Sequence, residues 1–266
     1  MNKITLLLLF MVMNSVHLFG QNHSFTYEYR FLSDSTDVAS QRKEIYTLKV
    51  DHRQSIYFSE YHKRRDSIEN MFASTSKSKP VIVKYYDNTE THQYLKLSER
   101  LYHIKSNDKL NWQILEDVEY INGFHTQKAS VNFAGRKWFA FFTKDIPIAD
   151  GPYKFHGLPG LIIRLESDNK THQFELLEVK SSEKNSFSYL NLINKTKWID
   201  ITPERYKKLY QQYRRNPLES WRRHDITKGT INGKTMSADE FFKTMEKMEK
   251  ERLIKDNNIL ELSLLK

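Results

Sequence analysis

The residues with the best claim to chemistry are His156, Asp145 and Asp150, an imidazole and two carboxylates in one short glycine- and proline-rich stretch. Brought together, they would make a general base with an orienting acid, or a weak metal site. The competing reading is a hydrogen-bonded structural histidine that needs no cofactor, and the sequence favours it. No catalytic, cofactor-binding or metal-ligating residue is therefore assigned on these grounds. No two histidines beyond residue 20 lie within nine positions of each other, so a metal site would have to assemble from distant strands. Nucleophile-elbow, P-loop and dinucleotide fingerprints are absent from the sequence. The chain has no cysteine, which excludes disulfides, a lipidated cysteine, thiolate metal ligands and a cysteine nucleophile.

The three candidates belong to residues 145–162, which hold three of the 8 glycines and three of the 6 prolines. Its centre runs Asp150, Gly151, Pro152, Tyr153, Lys154, Phe155, His156, Gly157, Leu158, Pro159, Gly160, Leu161 and Ile162. Proline fixes φ and glycine permits positive φ, so alternating them with large apolar residues specifies a tightly shaped, partly buried bend. The bend reads first as a backbone device. Trp138, Ala140 and Phe142 alternate with Phe139 and Phe141 on its N-terminal side, as expected for a strand lying between two layers. Leu161, Ile163 and Leu165 leave it as another strand.

Strands dominate the rest of the pattern. Phe25, Tyr27, Tyr29 and Phe31 alternate with Thr26, Glu28 and Arg30, followed by Tyr46, Leu48 and Val50 and then by Ile56 and Phe58. Residues 61–72 lack period two and suggest a short helix or loop, with 74–79 as a polar connector. Val81 and Val83, Leu95 and Leu97, Leu101 and Ile104, and Trp112 and Ile114 mark further strands. Asn122-Gly123 and Ala134-Gly135 are hairpin turn signals. Phe174 and Leu176, then Phe187, Tyr189 and Asn191, extend the meander. Thr202-Pro203-Glu204 opens a helix reaching about Arg215, and Leu218 to Arg223 is a short helical piece. Ser237 with Glu240 caps another helix ending near Lys255, with Phe241, Met245, Met248 and the stem of Arg252 on one face. Residues 259–265 could add a strand or lie on the sheet. Lys207, Lys208, Arg214, Arg215, Arg222 and Arg223 form a basic cluster that reads as a solvated face.

The predicted fold is mainly β: a strongly twisted antiparallel sheet or open half-barrel, with two or three C-terminal helices at about 203–255. Residues 1–20 read as a secretory signal, with Lys3 ahead of an apolar run, and 21–266 as one domain. Removing Lys3 with the signal lowers the formal charge from +9 to +8. Basic residues are scattered over every segment, which argues against a nucleic-acid partner. No window of the mature chain reaches the length of a transmembrane helix.

Gly157-Leu158-Pro159-Gly160-Leu161-Ile162 is the hexapeptide of the GLPGLI family, exported proteins of Bacteroidota-type bacteria whose function is uncharacterised. The chain resembles that family across about 45 residues from Tyr120 to Arg164. Ile121-Asn122-Gly123-Phe124, Gln127-Lys128-Ala129, Gly135-Arg136, Trp138-Phe139-Ala140, Ile146-Pro147 and Gly151-Pro152-Tyr153-Lys154-Phe155 carry the likeness. A cysteine often precedes the Gln-Lys-Ala segment in the family; Thr126 stands near that place here, so no role of a thiol transfers. The resemblance implies an envelope protein, periplasmic, outer-membrane-associated or secreted, and supplies no reaction.

The expected function is a noncatalytic binding or accessory module that offers a concave aromatic surface to an apolar or amphipathic ligand, or to an envelope partner. Two alternatives stand beside it: an envelope hydrolase centred on His156, and a structural interaction module presenting its edge or helices to an outer-membrane protein. A greasy cleft away from His156 would favour binding, and a polar cleft converging on it would favour catalysis.

Overall fold

The computed structural model describes residues 22–60, 79–107, 109–182 and 188–266. The expected signal, the stretch at 61–72 and nearly all of the connector at 74–79 lie outside these residues. The chain forms eleven successive antiparallel-paired strands: β1 (Asn22–Leu32), β2 (Gln41–Val50), β3 (Gln54–Ser59), β4 (Val81–Tyr85), β5 (Thr91–Leu97), β6 (Arg100–Ser106), β7 (Gln113–Ile121), β8 (Phe124–Phe133), β9 (Arg136–Thr143), β10 (Leu161–Ser167) and β11 (His172–Ser182). A short β12 (Ile199–Ile201) joins the edge of β6 in parallel and makes the sheet mixed. The strand order is β12-β6-β5-β4-β3-β2-β1-β11-β10-β9-β8-β7, a large open sheet that does not close into a barrel. The first strand thus sits in the middle, between β2 and β11.

Period-two alternation decides what each face of the sheet carries. On the inner face, Phe25, Tyr27 and Tyr29 stand beside Leu48, Tyr46 and Glu44 of β2 and beside Val179, Leu176 and Phe174 of β11. Most of these side chains join Trp138, Phe142, Phe155, Leu158 and Leu161 in the main core. Asn122-Gly123 and Ala134-Gly135 adopt positive φ at both central positions, the geometry that two-residue hairpins require, as their sequence predicts.

Three helices occur among the described residues: α1 (Ser188–Lys195), α2 (Pro203–Arg215) and α3 (Ala238–Lys255). Thr202 accepts from the Arg205 N–H and Ser237 from the Glu240 N–H, so both expected N-caps form. Helix α2 packs Tyr206, Tyr210 and Tyr213 on Leu95, Leu97, Tyr102 and Ile104 of the inner face.

The structure corrects several expectations. Tyr189 and Asn191 lie in helix α1 and not in a strand, while Phe187 falls outside the described residues. Leu190 and Ile193, one helical turn apart, both enter the cluster of Ile56, Phe58, Val81, Val83 and Tyr94 on the outer face. Trp112 precedes β7. Met248 of α3 is 47% exposed, and Phe242 and Leu253 are the residues that the helix buries. A hairpin of β13 (Lys228–Ile231) and β14 (Lys234–Ser237), turning at Asn232-Gly233, was not anticipated. Strand β9 is apolar on both faces: the bend packs on Trp138 from the inner face, and on the outer face cationic side chains lie over the rings. Phe141 is covered by the Arg164 guanidinium, 4.0 Å from its ring centroid, and by Lys128 at 5.7 Å. Long cationic side chains can cover apolar surface with their stems and offer the charge to the ring face. The C-terminal tail forms no strand. It turns through a 3-10 helix at Leu262–Leu265 and donates the Ser263 N–H to the Ala134 carbonyl.

Candidate functional site

The bend at 145–160 lies on the inner face of the sheet and is fixed from inside. The Ile162 N–H donates to the Asp150 carbonyl at 3.0 Å, Gly157 N–H to the Ala149 carbonyl at 2.9 Å, and Leu161 N–H to the Ile146 carbonyl at 3.0 Å. Phe155 and Leu158 point into the core, and the Phe155 ring meets Trp138 edge-on at 5.0 Å. Gly160 has φ of +152°, and a Cβ there would overlap the Thr143 carbonyl oxygen and lie 2.7 Å from its carbon. Glycine is needed at that position because backbone passes where a side chain would begin.

Lys84 of β4 anchors the bend. Its ammonium group pairs with Asp150 and donates to the Gly151 carbonyl at 2.7 Å. Asp150 also accepts from the Tyr86 hydroxyl at 2.6 Å and from the Gly151 N–H at 2.6 Å. Burial lowers the pKa of Lys84 from 10.5, with Asp150 opposing the shift, and burial followed by the Asp150 charge raises that of Tyr86. The sequence did not single out Lys84 or Tyr86. A signal was present: Lys84 closes the apolar run Val81-Ile82-Val83 and shares the face of Ile82, where a lysine needs a buried partner.

The candidate trio His156, Asp145 and Asp150 is divided among different partners. Asp150 is engaged by Lys84 and Tyr86, and Asp145 is exposed, with its N–H on the Thr143 hydroxyl. Nδ1 of His156 lies 2.8 Å from the Lys154 carbonyl, so it carries the hydrogen and donates it, while the His156 carbonyl accepts from Trp112. Asp150 and His156 are bridged through backbone.

Two cavities open on this same face, at opposite ends of β1 and β2, with the bend between them. One, of about 370 Å³, is bounded by His23, Val50, His52, Tyr86, Ile148 and His156. The other, of about 230 Å³, is lined by Tyr29, Phe31, Tyr46, Tyr57, Phe174, Tyr153, Tyr206 and Tyr210, with Ile259, Leu260 and Leu264 of the tail across it. Two of its carboxylates are locally matched. Glu44 accepts from the Tyr46 hydroxyl at 2.9 Å and pairs with Lys79 at 3.0 Å, while Glu261 pairs with Lys154 at 2.6 Å and accepts from the Tyr153 hydroxyl. The tail is held by Arg136, which donates to Asn258 at 2.6 Å and to the Ile259 carbonyl at 2.9 Å.

One group in this second cavity stands apart. The Tyr57 ring stacks on Tyr46 at 4.8 Å, yet its buried hydroxyl has no hydrogen-bond partner among the described residues. Burial raises its pKa, so it keeps its proton and remains a donor. Sequence reasoning placed the aromatic strands but not this hydroxyl, because alternation predicts a face and not the partner of a ring's far end.

Lys208, Arg215, Arg222 and Arg223 of the basic cluster are exposed, as a solvated face requires, and two members also brace the helices. Arg214 donates to the Leu253 and Asp256 carbonyls and so caps α3, and Arg222 pairs with Glu246 at 2.7 Å and lies over Phe242. No helix among the described residues is long and apolar enough to cross a membrane.

No curated protein matches the chain. Among solved structures it is similar to PNGF-II crystallised in space groups P21 and C2, at 15% and 16% identity with TM-scores of 0.54 and 0.55. Each likeness covers 71% of this chain but only 33% and 32% of PNGF-II, so the chain spans about a third of that protein's length and the likeness speaks for the fold alone. Residues 42–164, from β2 through the bend into β10, match the family described as a protein of unknown function (Porph_ging).

Proposed function

We propose that this is an exported, noncatalytic binding protein of the bacterial cell envelope that takes an apolar or amphipathic ligand into the cavity between the inner sheet face and the C-terminal tail. The resemblance to exported GLPGLI-type proteins and the apolar run at the N-terminus support the compartment. The observation that carries the binding reading is the aromatic cavity, with Tyr57 in its lining and the buried Tyr57 hydroxyl without a hydrogen-bond partner among the described residues. Such a cavity offers aromatic and aliphatic contact beside a polar rim of Glu44, Lys79, Gln93 and Asn258, which suits an amphipathic ligand. It lies away from His156, which favours binding over hydrolysis.

The hydrolase reading rests on His156 lining the other cavity with His23 and His52. It is the weaker one, because of the two carboxylates that could serve the imidazole Asp150 is engaged by Lys84 and Tyr86 and Asp145 is exposed. Native mass spectrometry of the protein purified from its own envelope tests the proposal. A copurified lipid-like or other amphipathic molecule is the expected result. Absence of any such molecule, together with failure to bind a hydrophobic fluorescent probe, would turn attention to the protein-partner reading.

A further inference from the structure

On the outer face of the sheet, His92 of β5 and His103 of β6 approach each other through their inner nitrogens, with Nδ1 of His92 3.1 Å from Nε2 of His103. Their outer nitrogens face carboxylates. Nδ1 of His103 is 2.7 Å from Asp200 of β12, and Nε2 of His92 is 3.3 Å from Glu90. A carboxylate only accepts, so each outer nitrogen carries the hydrogen. Both inner nitrogens of the neutral rings then present lone pairs to one another. Two lone pairs at 3.1 Å repel, and a cation between them removes the repulsion. The Tyr94 hydroxyl lies 3.5 Å from the same His92 nitrogen. The Tyr94 ring stacks on His103 at 4.7 Å and meets Trp198 at 5.0 Å, which braces the His103 ring.

We propose that His92 and His103 bind a divalent transition-metal ion of the zinc or copper class, with Asp200 and Glu90 orienting the two imidazoles. Metal-ligating histidines characteristically place the far nitrogen on a carboxylate, which fixes the tautomer and strengthens the ligand. Bonds of about 2.0–2.1 Å to zinc put two tetrahedral nitrogen ligands roughly 3.3 Å apart, close to the spacing found here. No group of three or more histidine, aspartate or glutamate side chains converges on a metal position among the described residues. Two imidazoles are thus the histidine donor set among the described residues, and water or the Tyr94 hydroxyl fills the remaining positions. That makes an exchangeable site, assembled across two strands whose histidines are 11 residues apart in the chain.

The test uses untagged full-length protein stripped with a chelator and titrated with Cu²⁺ and with Zn²⁺ by calorimetry. Binding of one equivalent is expected, with the electron paramagnetic resonance spectrum of the copper form showing two imidazole nitrogens. His92→Ala and His103→Ala should each weaken binding more than tenfold, and Asp200→Asn about tenfold, whereas His125→Ala, at a distant hairpin, should change nothing. Circular dichroism confirms that each variant folds, and the nitrogen count on the unaltered protein stands independently of the variants. Absence of one-equivalent binding, a spectrum with fewer than two nitrogens, or binding untouched by both histidine variants would overturn the proposal and leave a shared proton between the rings.

Discussion

Lys84 and Asp150 meet beneath the bend with 2% and 0% of their side chains exposed, a buried ion pair joining β4 to a loop 66 positions further along the chain. Two desolvated charges contribute little as a pair, but removing one leaves the other stranded. Lys84→Met should therefore cost about 3–5 kcal/mol, read by urea denaturation, while Lys84→Met combined with Asp150→Leu should recover part of the loss. A single variant costing less than about 1 kcal/mol would show that the bend is anchored elsewhere.

The glycines of the bend should separate by their surroundings. Gly157 has φ of +90° with open space where a Cβ would sit, so Gly157→Ala carries only conformational strain of about 1 kcal/mol. Gly160→Ala must also displace the backbone at Thr143, and a loss of about 3 kcal/mol or more is expected. Thermal unfolding of the two variants side by side is the measurement; equal losses would contradict the geometry.

His156→Ala should remain folded, with about 1 kcal/mol lost for the ring's hydrogen bond. The Trp112 contact survives because it is made to backbone. A folded variant that has lost ligand binding or an activity found in the native protein would put the His156 cavity first.

Tyr57→Phe removes a buried hydroxyl that has no partner among the described residues. The empty protein should gain about 1 kcal/mol of stability, and affinity for the native ligand should fall about tenfold. Stability and affinity moving in opposite directions is the signature to look for. A parallel loss of both would mean that the hydroxyl serves the fold.

Acid should loosen the tail. Burial by itself would raise the pKa of Glu261, but the Lys154 charge and the hydrogen bonds from Lys154 and Tyr153 outweigh it and hold the carboxyl below 4.5. With its folded-state value below the unfolded one, the group's contribution is fully present above 4.5 and is lost as pH falls through the folded-state value. Stability measured across that window should fall less steeply in Glu261→Gln than in the native protein.

Much of this was legible in the sequence, for reasons that differ by element. Phe25 to Phe31 announce a half-buried strand because period two needs no tertiary knowledge. The bend was legible because glycine and proline act on the backbone locally. Helix α1 was not, since Tyr189 and Asn191 alternate as well as Leu190 and Ile193 recur, and only the pocket that receives the latter pair decides between them. The Lys84 anchor, the His92–His103 pair and the unpartnered Tyr57 hydroxyl depend on strand register, which side-chain type alone does not fix.

The place of β1 in the middle of the sheet has a kinetic consequence. Strands β1 to β6 and β7 to β11 can each zip up as meanders from neighbouring segments, but β1 must also pair across to β11, with Thr26 and Glu178 side by side and 152 residues apart. Closing so long a loop comes before the contacts that reward it, and it belongs to the slow class of folding events. The seam is therefore the last join of the sheet. Until it forms, the two half-sheets present the open edges of β1 and β11 with their aromatic side chains, and the chain is at its most adhesive in that interval.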